Sequence, residues 1–349
     1  MNTLVTVIIA VLVFGFLIFI HEFGHFIFAR IFKVTVNEFS IGMGPRLLWY
    51  DSKKSGTKYS LSMLPIGGFV AMAGEDSESD DPNSFDKKPA WQRFIITAAG
   101  ATVNIVFGFV AMILLTCLIN IGSTTVAEFM DPAETKYEVS SMDSGLMEGD
   151  TVVAINGSKV AIYDELSYLI MRYGHEPVSV TVIRNGETKV LENVVFPTVT
   201  DQGQTLGMQD FKVYRVEKSF GKVMEFSWRK SCLIVRMVWE SIYDLISGRF
   251  SFSAVSGPVG ISDAIGNAAR AGFTSLLYMV VLISINLGVM NLLPIPALDG
   301  GRLITIIIEM ITRRKLPQKI EGAINAAGLT ILLGLSFVIM IKDIIQLAF

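Results

Sequence analysis

Uncharged apolar runs alternate with polar, charged stretches along this chain, and four of the runs are long enough to cross a bilayer. A hydrocarbon core of roughly 30 Å needs about 20 helical residues. The first run extends from Asn2 to about Ala29 and meets no formal charge before Glu22. The second, Phe94 to Val126, is free of charge and longer than a span requires. The third is Gly272 to Leu293 and the fourth Gly322 to Ile341. They predict transmembrane helices within segments 1–30, 94–124, 272–301 and 322–349.

The stretches between the runs carry other periods. Lys58 to Gly74 is apolar, but it is too short and too often interrupted by Gly and Pro to span. With Pro65-Ile66-Gly67-Gly68 as a turn between two strand-like halves, it predicts a β-hairpin over 58–74 inside the loop 31–93. Such a hairpin enters a membrane only where its backbone is buried in protein or lines a cavity. An exposed edge there would pair with an extended peptide, which makes Gly67 and Gly68 candidate substrate contacts. The plain alternative is a surface hairpin that touches no substrate. The acidic stretch Glu75 to Pro89 reads as a flexible loop.

Farther on, Thr151–Ile155 and Val178–Ile183 read as strands, with turns at Asn156-Gly157 and Asn185-Gly186. Leu166, Leu169 and Ile170 have helical spacing within Tyr163–Tyr173. Together they predict a small α/β domain over 125–216. In 217–271, Trp228, Leu233, Met237, Trp239, Ile242 and Leu245 oppose Arg229, Lys230, Arg236, Glu240 and Asp244. That segment is too charged to span. It reads as a helix lying in a membrane interface, or as one packed on the α/β domain.

Charge placement orients the helices, because basic residues collect in cytoplasmic loops. Residues 31–93 hold Lys33, Arg46, Lys53, Lys54, Lys58, Lys87, Lys88 and Arg93, directly after Arg30. Residues 302–321 hold Arg302, Arg313, Arg314, Lys315 and Lys319. Both loops are expected in the cytoplasm, with the α/β domain on the other side. The whole chain of 349 residues is 51% hydrophobic and only 17% charged, against about 25% charged in soluble domains. A net charge of −3 gives no footprint for nucleic acid. Cys117 and Cys232 make neither a disulfide framework nor a C-x-x-C site. The first run lacks a basic start and a small-residue cleavage site, so it is expected to be retained rather than removed as a signal peptide.

The candidate chemistry lies at the ends of the first and third runs. His21-Glu22-Phe23-Gly24-His25 places two imidazoles at i and i+4 on one helix face. They are about 6 Å apart along the axis and can share one zinc ion, with the glutamate as base toward a water there. Ionisable groups in a membrane helix are costly and point to function. The bland alternative is a helix whose His and Glu sit at the headgroup interface. His175 stands apart and reads as a surface or structural residue. The third run ends in Asn291-Leu-Leu-Pro294-Ile-Pro296-Ala-Leu-Asp299-Gly300-Gly301. The prolines break the helix, and the glycines permit close backbone approach. A catalytic zinc takes three protein ligands and keeps one position open. On the topology above both motifs reach the cytoplasmic side, so Asp299 is the natural third ligand beside His21 and His25.

At these two motifs the chain resembles the site-2 protease family, and more narrowly its bacterial regulator-of-sigma-E protease branch. Ser144-Gly145-Leu146-Met147-Glu148-Gly149-Asp150, followed by Val152-Val153-Ala154-Ile155-Asn156-Gly157, resembles a PDZ domain, and Ser256-Gly-Pro-Val-Gly-Ile261 adds to the likeness. The resemblance implies zinc on His21, His25 and Asp299, with Glu22 as general base and Asn291 handling substrate, beside Pro294 and Pro296. The family's G-P-x-x-N motif appears as Gly100-Ala101-Thr102-Val103-Asn104, which makes Asn104 a further candidate despite the missing proline. The implied fold is a polytopic α-helical membrane protein: four transmembrane helices, a membrane-associated β-hairpin and one extracytoplasmic PDZ-like α/β domain. The implied activity is zinc-dependent cleavage of single-pass membrane proteins, anti-sigma factors or signal-peptide remnants, inside a bacterial cell membrane. An upstream site-1-type protease would trim the substrate first, and the PDZ-like domain would exclude bulky ectodomains. Two other classes stay open on the residues alone. A zinc transporter would explain membrane His and Asp, and a PDZ scaffold would explain the insert.

Overall fold

A computed structural model describes residues 3–75, 79–131, 139–201, 204–249, 255–315 and 317–348. Positions 76–78 of the expected acidic loop, 132–138 and 202–203 of the α/β segment, and 250–254 of the amphipathic segment lie outside the described residues. The chain divides into two compact units, Met1–Ala111 with Val255–Phe349, and Met112–Ala254.

The first unit opens with helix α1 (Thr3–Ile31), free of formal charge on every side up to His21 as a helix in lipid must be. Next come β1 (Val36–Asp51) and β2 (Lys58–Met72), then α2 (Ala90–Leu118). The apolar run predicted as a helix to 124 thus stops at Leu118, and β3 (Ile121–Phe129) follows. Thr124, Thr125 and Val126 are β-branched, and they fit a strand better than a helix.

The β1–β2 pairing differs from the expected hairpin. The two halves of 58–72 do not pair with each other across Pro65–Gly68. Instead they flank β1. Val36 to Ile41 faces Met72 to Gly68 on one side, and Glu38 to Ile41 faces Lys58 to Leu61 on the other. The rest of β1, Arg46 to Asp51, covers the far side of Ser62 to Lys58. Gly42, Gly44 and Gly67 have φ of 85°, 88° and 84°, and they allow the chain to turn back into this four-run sheet. Composition could not reveal this, because β1 carries Asn37, Glu38 and Arg46 and reads as loop. In the folded sheet Glu38 accepts from Arg46 Nε at 2.8 Å and Ser60 Oγ at 2.7 Å, so these polar groups are paired. The run Gly68–Met72 ends up at an edge: among the described residues no strand pairs with its outer side.

The second unit holds β3, β4 (Thr151–Ile155), β5 (Ser158–Lys159), α3 (Tyr163–Tyr173), β6 (Val178–Arg184), β7 (Glu187–Val194), β8 (Thr198–Asp201), β9 (Gln204–Gly207), β10 (Phe211–Val216) and α4 (Phe220–Ile246). The main sheet runs in the order β10-β3-β4-β6-β7, with β5 on β4 and a separate β8-β9 hairpin. Alternate residues of β6, Val178, Val180 and Val182, join Leu166, Leu169 and Ile170 of α3 in one buried core. Leu233 of α4 belongs to that core. The segment expected at a membrane interface thus begins with a helix whose inner face packs on α3. Asp244 binds Arg172 Nη1 at 2.7 Å, and Lys230 Nζ reaches Asp164 at 2.7 Å. Its other face leaves Trp228, Trp239, Tyr243 and Ile246 exposed.

The chain then returns to the first unit through α5 (Pro258–Ala271), α6 (Phe273–Asn291), α7 (Asp299–Thr312) and α8 (Gln318–Ala348). Asp343 of α8 accepts from the backbone N–H of Gly257 and Gly260, each at 2.9 Å, and so caps α5 from a neighbouring helix. Much of the loop expected at 302–321 is the helix α7. Among the described residues, four helices are long and apolar enough to cross a membrane: Leu4–Ile31, Ala90–Leu118, Phe273–Asn291 and Lys319–Ile345. Small residues let them meet closely. A Cβ on Gly24 of α1 would come 2.7 Å from Ala99 O of α2, and one on Gly288 of α6 would come 2.7 Å from Ala101 O.

Candidate metal centre

Three donor atoms from two helices converge in the first unit. His21 and His25 lie one turn apart on α1, each 8% exposed. Their Nε2 atoms are 3.2 Å apart. Asp299 is the first residue of α7, and its Oδ2 lies 3.2 Å from His21 Nε2 and 3.3 Å from His25 Nε2. That oxygen is buried and yet forms no well-directed hydrogen bond among the described residues.

Asp299 gets there because of the chain reversal after α6. Pro294 and Pro296 cannot continue the helix, and Ala297 turns with φ 72°. The first turn of α7 then presses on the segment just traversed. A Cβ on Gly300 would fall 1.9 Å from Leu293 O, so no larger residue fits directly after Asp299. A carboxylate in the first turn of a helix is also favoured by the helix dipole.

This donor set fits zinc. Bonds of about 2.0–2.1 Å at the tetrahedral angle put ligand atoms about 3.3–3.4 Å apart. The three observed separations, 3.2, 3.2 and 3.3 Å, are close to that spacing. A ligating histidine needs its other nitrogen protonated and held. His25 meets this requirement, since its Nδ1 donates to Ile96 O of α2 at 2.8 Å.

A cavity of about 540 Å³ opens onto the three donors. Its wall includes Glu22, Thr97, Glu75, Arg302 and the edge run Phe69–Met72. Glu22 follows His21 directly and faces the sheet: a Cβ on Gly68 would lie 3.3 Å from its Cγ. Arg302, one turn beyond Asp299, donates to Glu75 O at 2.9 Å and to the Glu75 carboxylate. That links α7 to Glu75, three residues beyond the end of β2.

The other residues singled out from the sequence fall in different places. Gly67 packs against Met43, where its Cβ would come 2.8 Å from that side chain. Asn291 closes α6 with Nδ2 donating to Leu287 O at 3.0 Å, and it is not part of the cavity wall. Pro294 is exposed, and Pro296 rests on Gly328 of α8. Asn104, grouped with the substrate contacts, is fully buried and faces His21 rather than the cavity. Phe69–Met72 belong to the 58–74 stretch already expected to hold an extended substrate, whereas Thr97, Glu75 and Arg302 were not singled out and carry no spacing signal of their own.

Known proteins match this chain over nearly its whole length. The model of peptidase family M50 matches residues 9–335. A protein of Clostridium acetobutylicum named as a zinc metalloprotease is 35% identical over 341 residues, covering 97% of each chain. One from Fusobacterium nucleatum, named likewise, is 33% identical over 356 residues, covering 98% of this chain and 99% of its own. A third, from Campylobacter jejuni, is 33% identical over 353 residues, covering 96% and 92%.

Proposed function

The chain belongs to peptidase family M50 and is a zinc metalloprotease; on that premise we propose that it hydrolyses peptide bonds within or beside the transmembrane segments of single-pass membrane proteins. Its four apolar helices make it an integral membrane protein. The observation that carries the proposal is the shared cavity, in which the three donor atoms, Glu22 and an unpaired strand edge face one space.

His21, His25 and Asp299 are the residues to hold the ion. When bound there, zinc supplies a Lewis acid that polarises a peptide carbonyl and makes water acidic. Glu22 takes the proton from the attacking water and passes it to the departing amine. A transmembrane helix hides its backbone in its own hydrogen bonds, so the substrate must unwind to present a peptide bond. The edge Gly68–Met72 offers N–H and C=O groups to an extended strand, and Phe69–Met72 already line the cavity. Strand addition there would lay the substrate beside Glu22. Asn291, Pro294 and Pro296 belong to the reversal that sets Asp299, and through it they would act on substrate handling.

Other parts of the reading rest on sequence pattern. The basic loops favour the metal-site end of the helices on the cytoplasmic side of a bacterial cell membrane. The α/β unit, with its PDZ-like Gly-Asp and Ile-Asn-Gly turns, would act as a gate that rejects substrates still carrying bulky ectodomains, after an upstream protease has trimmed them.

The test is cleavage of a tagged single-pass protein with a short ectodomain, in detergent, by wild type and Glu22→Gln. The variant is expected to bind zinc fully and to yield no product. Equal cleavage by both would overturn the proposal. A chain that transports zinc or only scaffolds partners would be indifferent to Glu22→Gln.

A further inference from the structure

The two histidines of the centre are not braced alike. His25 Nδ1 donates to Ile96 O at 2.8 Å, which fixes its ring and leaves Nε2 free toward Asp299. His21 also turns Nε2 to Asp299, at 3.2 Å. Its Nδ1 must then carry the proton and needs an acceptor. The side chain there is Asn104 of α2, whose Nδ2 lies 3.4 Å from His21 Nδ1.

In that orientation two donors face each other. Asn104 is 0% exposed, and its Oδ1 is buried with no hydrogen-bond partner among the described residues. A buried polar atom left unpaired is costly. The oxygen and nitrogen of an amide have nearly the same shape, so their assignment follows from the hydrogen-bond network. Half a turn about the Cβ–Cγ bond puts Oδ1 against His21 Nδ1–H and pairs the orphaned acceptor with the proton that lacks one.

We propose that Asn104 is a positioning residue for His21: its Oδ1 accepts the Nδ1–H, holding the ring in the tautomer that presents Nε2 to the metal. This rests on the zinc reading above. The same residue also ties the ligand helix to the rest of the site. Its backbone O accepts from Ser284 Oγ of α6 at 2.8 Å, and α6 leads through the proline reversal to Asp299. Thus α2 braces both histidines, through Ile96 O and through Asn104. The backbone bond survives any change of the Asn104 side chain, so the two roles can be separated by mutation.

The experiment measures zinc affinity of the purified full chain in detergent, by competition with a chromophoric chelator, and the visible spectrum of the cobalt-loaded protein. Asn104→Leu keeps the side chain's approximate size and removes the acceptor. It is expected to weaken zinc binding by about 10–100-fold and to shift the cobalt bands. Asn104→Asp restores an acceptor at the same place and is expected to return affinity to within a few-fold of wild type. Unchanged affinity and spectrum in Asn104→Leu, or equal weakness in Asn104→Asp and Asn104→Leu, would overturn the proposal. His21→Ala is the control on the underlying reading: if it binds zinc like wild type, the metal centre itself is wrongly placed. Should the variants fail to fold, 15N spectra of histidine-labelled, zinc-loaded wild type decide. A His21 Nδ1–H that is shifted downfield by a hydrogen bond and slow to exchange supports the proposal, and an Nδ1–H without the signature of a hydrogen bond defeats it.

Discussion

A Cβ placed on Gly100 would stand 2.3 Å from Nε2 of His25. No carbon approaches a ring nitrogen so closely, and the neighbouring backbone belongs to the packed α1–α2 crossing. Gly100→Ala must therefore displace the imidazole from the point where the three donors meet. We expect at least a tenfold loss of zinc affinity, read by chelator competition, with activity falling alongside. Gly334→Ala on α8 is the matched control, since among the described residues nothing lies within 4 Å of a Cβ there. In a helix it is expected to be neutral or slightly stabilising.

Gly68 makes a different prediction. A Cβ there meets Ser40 O at 2.9 Å and Glu22 Cγ at 3.3 Å, while the metal ligands are untouched. Gly68→Val should push the edge strand and the Glu22 side chain apart. Misplacing a catalytic group by about 1 Å costs on the order of 10²-fold in rate. The expected result is a fall of that size in kcat with zinc content unchanged. A parallel loss of zinc would show that the strand supports the ligands rather than the base.

The sequence carried the metal site more clearly than the sheet beside it. His21 and His25 are one turn apart on a helix, so their convergence follows from local geometry alone. Asp299 lies 274 residues beyond His25, but the proline breaks and paired glycines around it mark a chain reversal. The four-run sheet has no such local signature. Its order depends on Val36–Ile41 sliding between two segments of β2, a non-local choice, and the polar residues of β1 hide its strand character. Asn104 was visible as a residue of interest, but which helix face it would bury was not. Only the α1–α2 crossing at Gly24 and Gly100 turns it toward His21.

Metal removal tests the assembled centre. Stripping zinc with a chelator should abolish cleavage, and added zinc should restore it in the wild type. A ligand that binds only the folded chain stabilises it by about 2.7 kcal/mol at a hundredfold excess over Kd. Zinc should therefore raise the thermal midpoint of the wild type. Asp299→Asn, which keeps the size of the side chain and removes its charge, should lose most of that rise. An equal rise in both would place the stabilising zinc elsewhere on the chain.

The α3–α4 contact predicts a stability effect separate from chemistry. The Asp244 side chain is fully buried, and Arg172 meets it with two hydrogen bonds, at 2.7 and 3.1 Å. Removing one member of a buried pair leaves the other charge uncompensated and typically costs about 3–5 kcal/mol. Arg172→Met should impose that cost, and Arg172→Met with Asp244→Leu should recover much of it, because the second change removes the stranded carboxylate. The measurement is the rate of limited proteolysis within 112–254, with zinc affinity as the second readout. Fast proteolysis with intact zinc binding is expected, since His21, His25 and Asp299 all lie in the other unit. If the single variant resists protease like wild type, α4 holds to α3 through its apolar face alone, with Leu233 in the common core as the dominant contact.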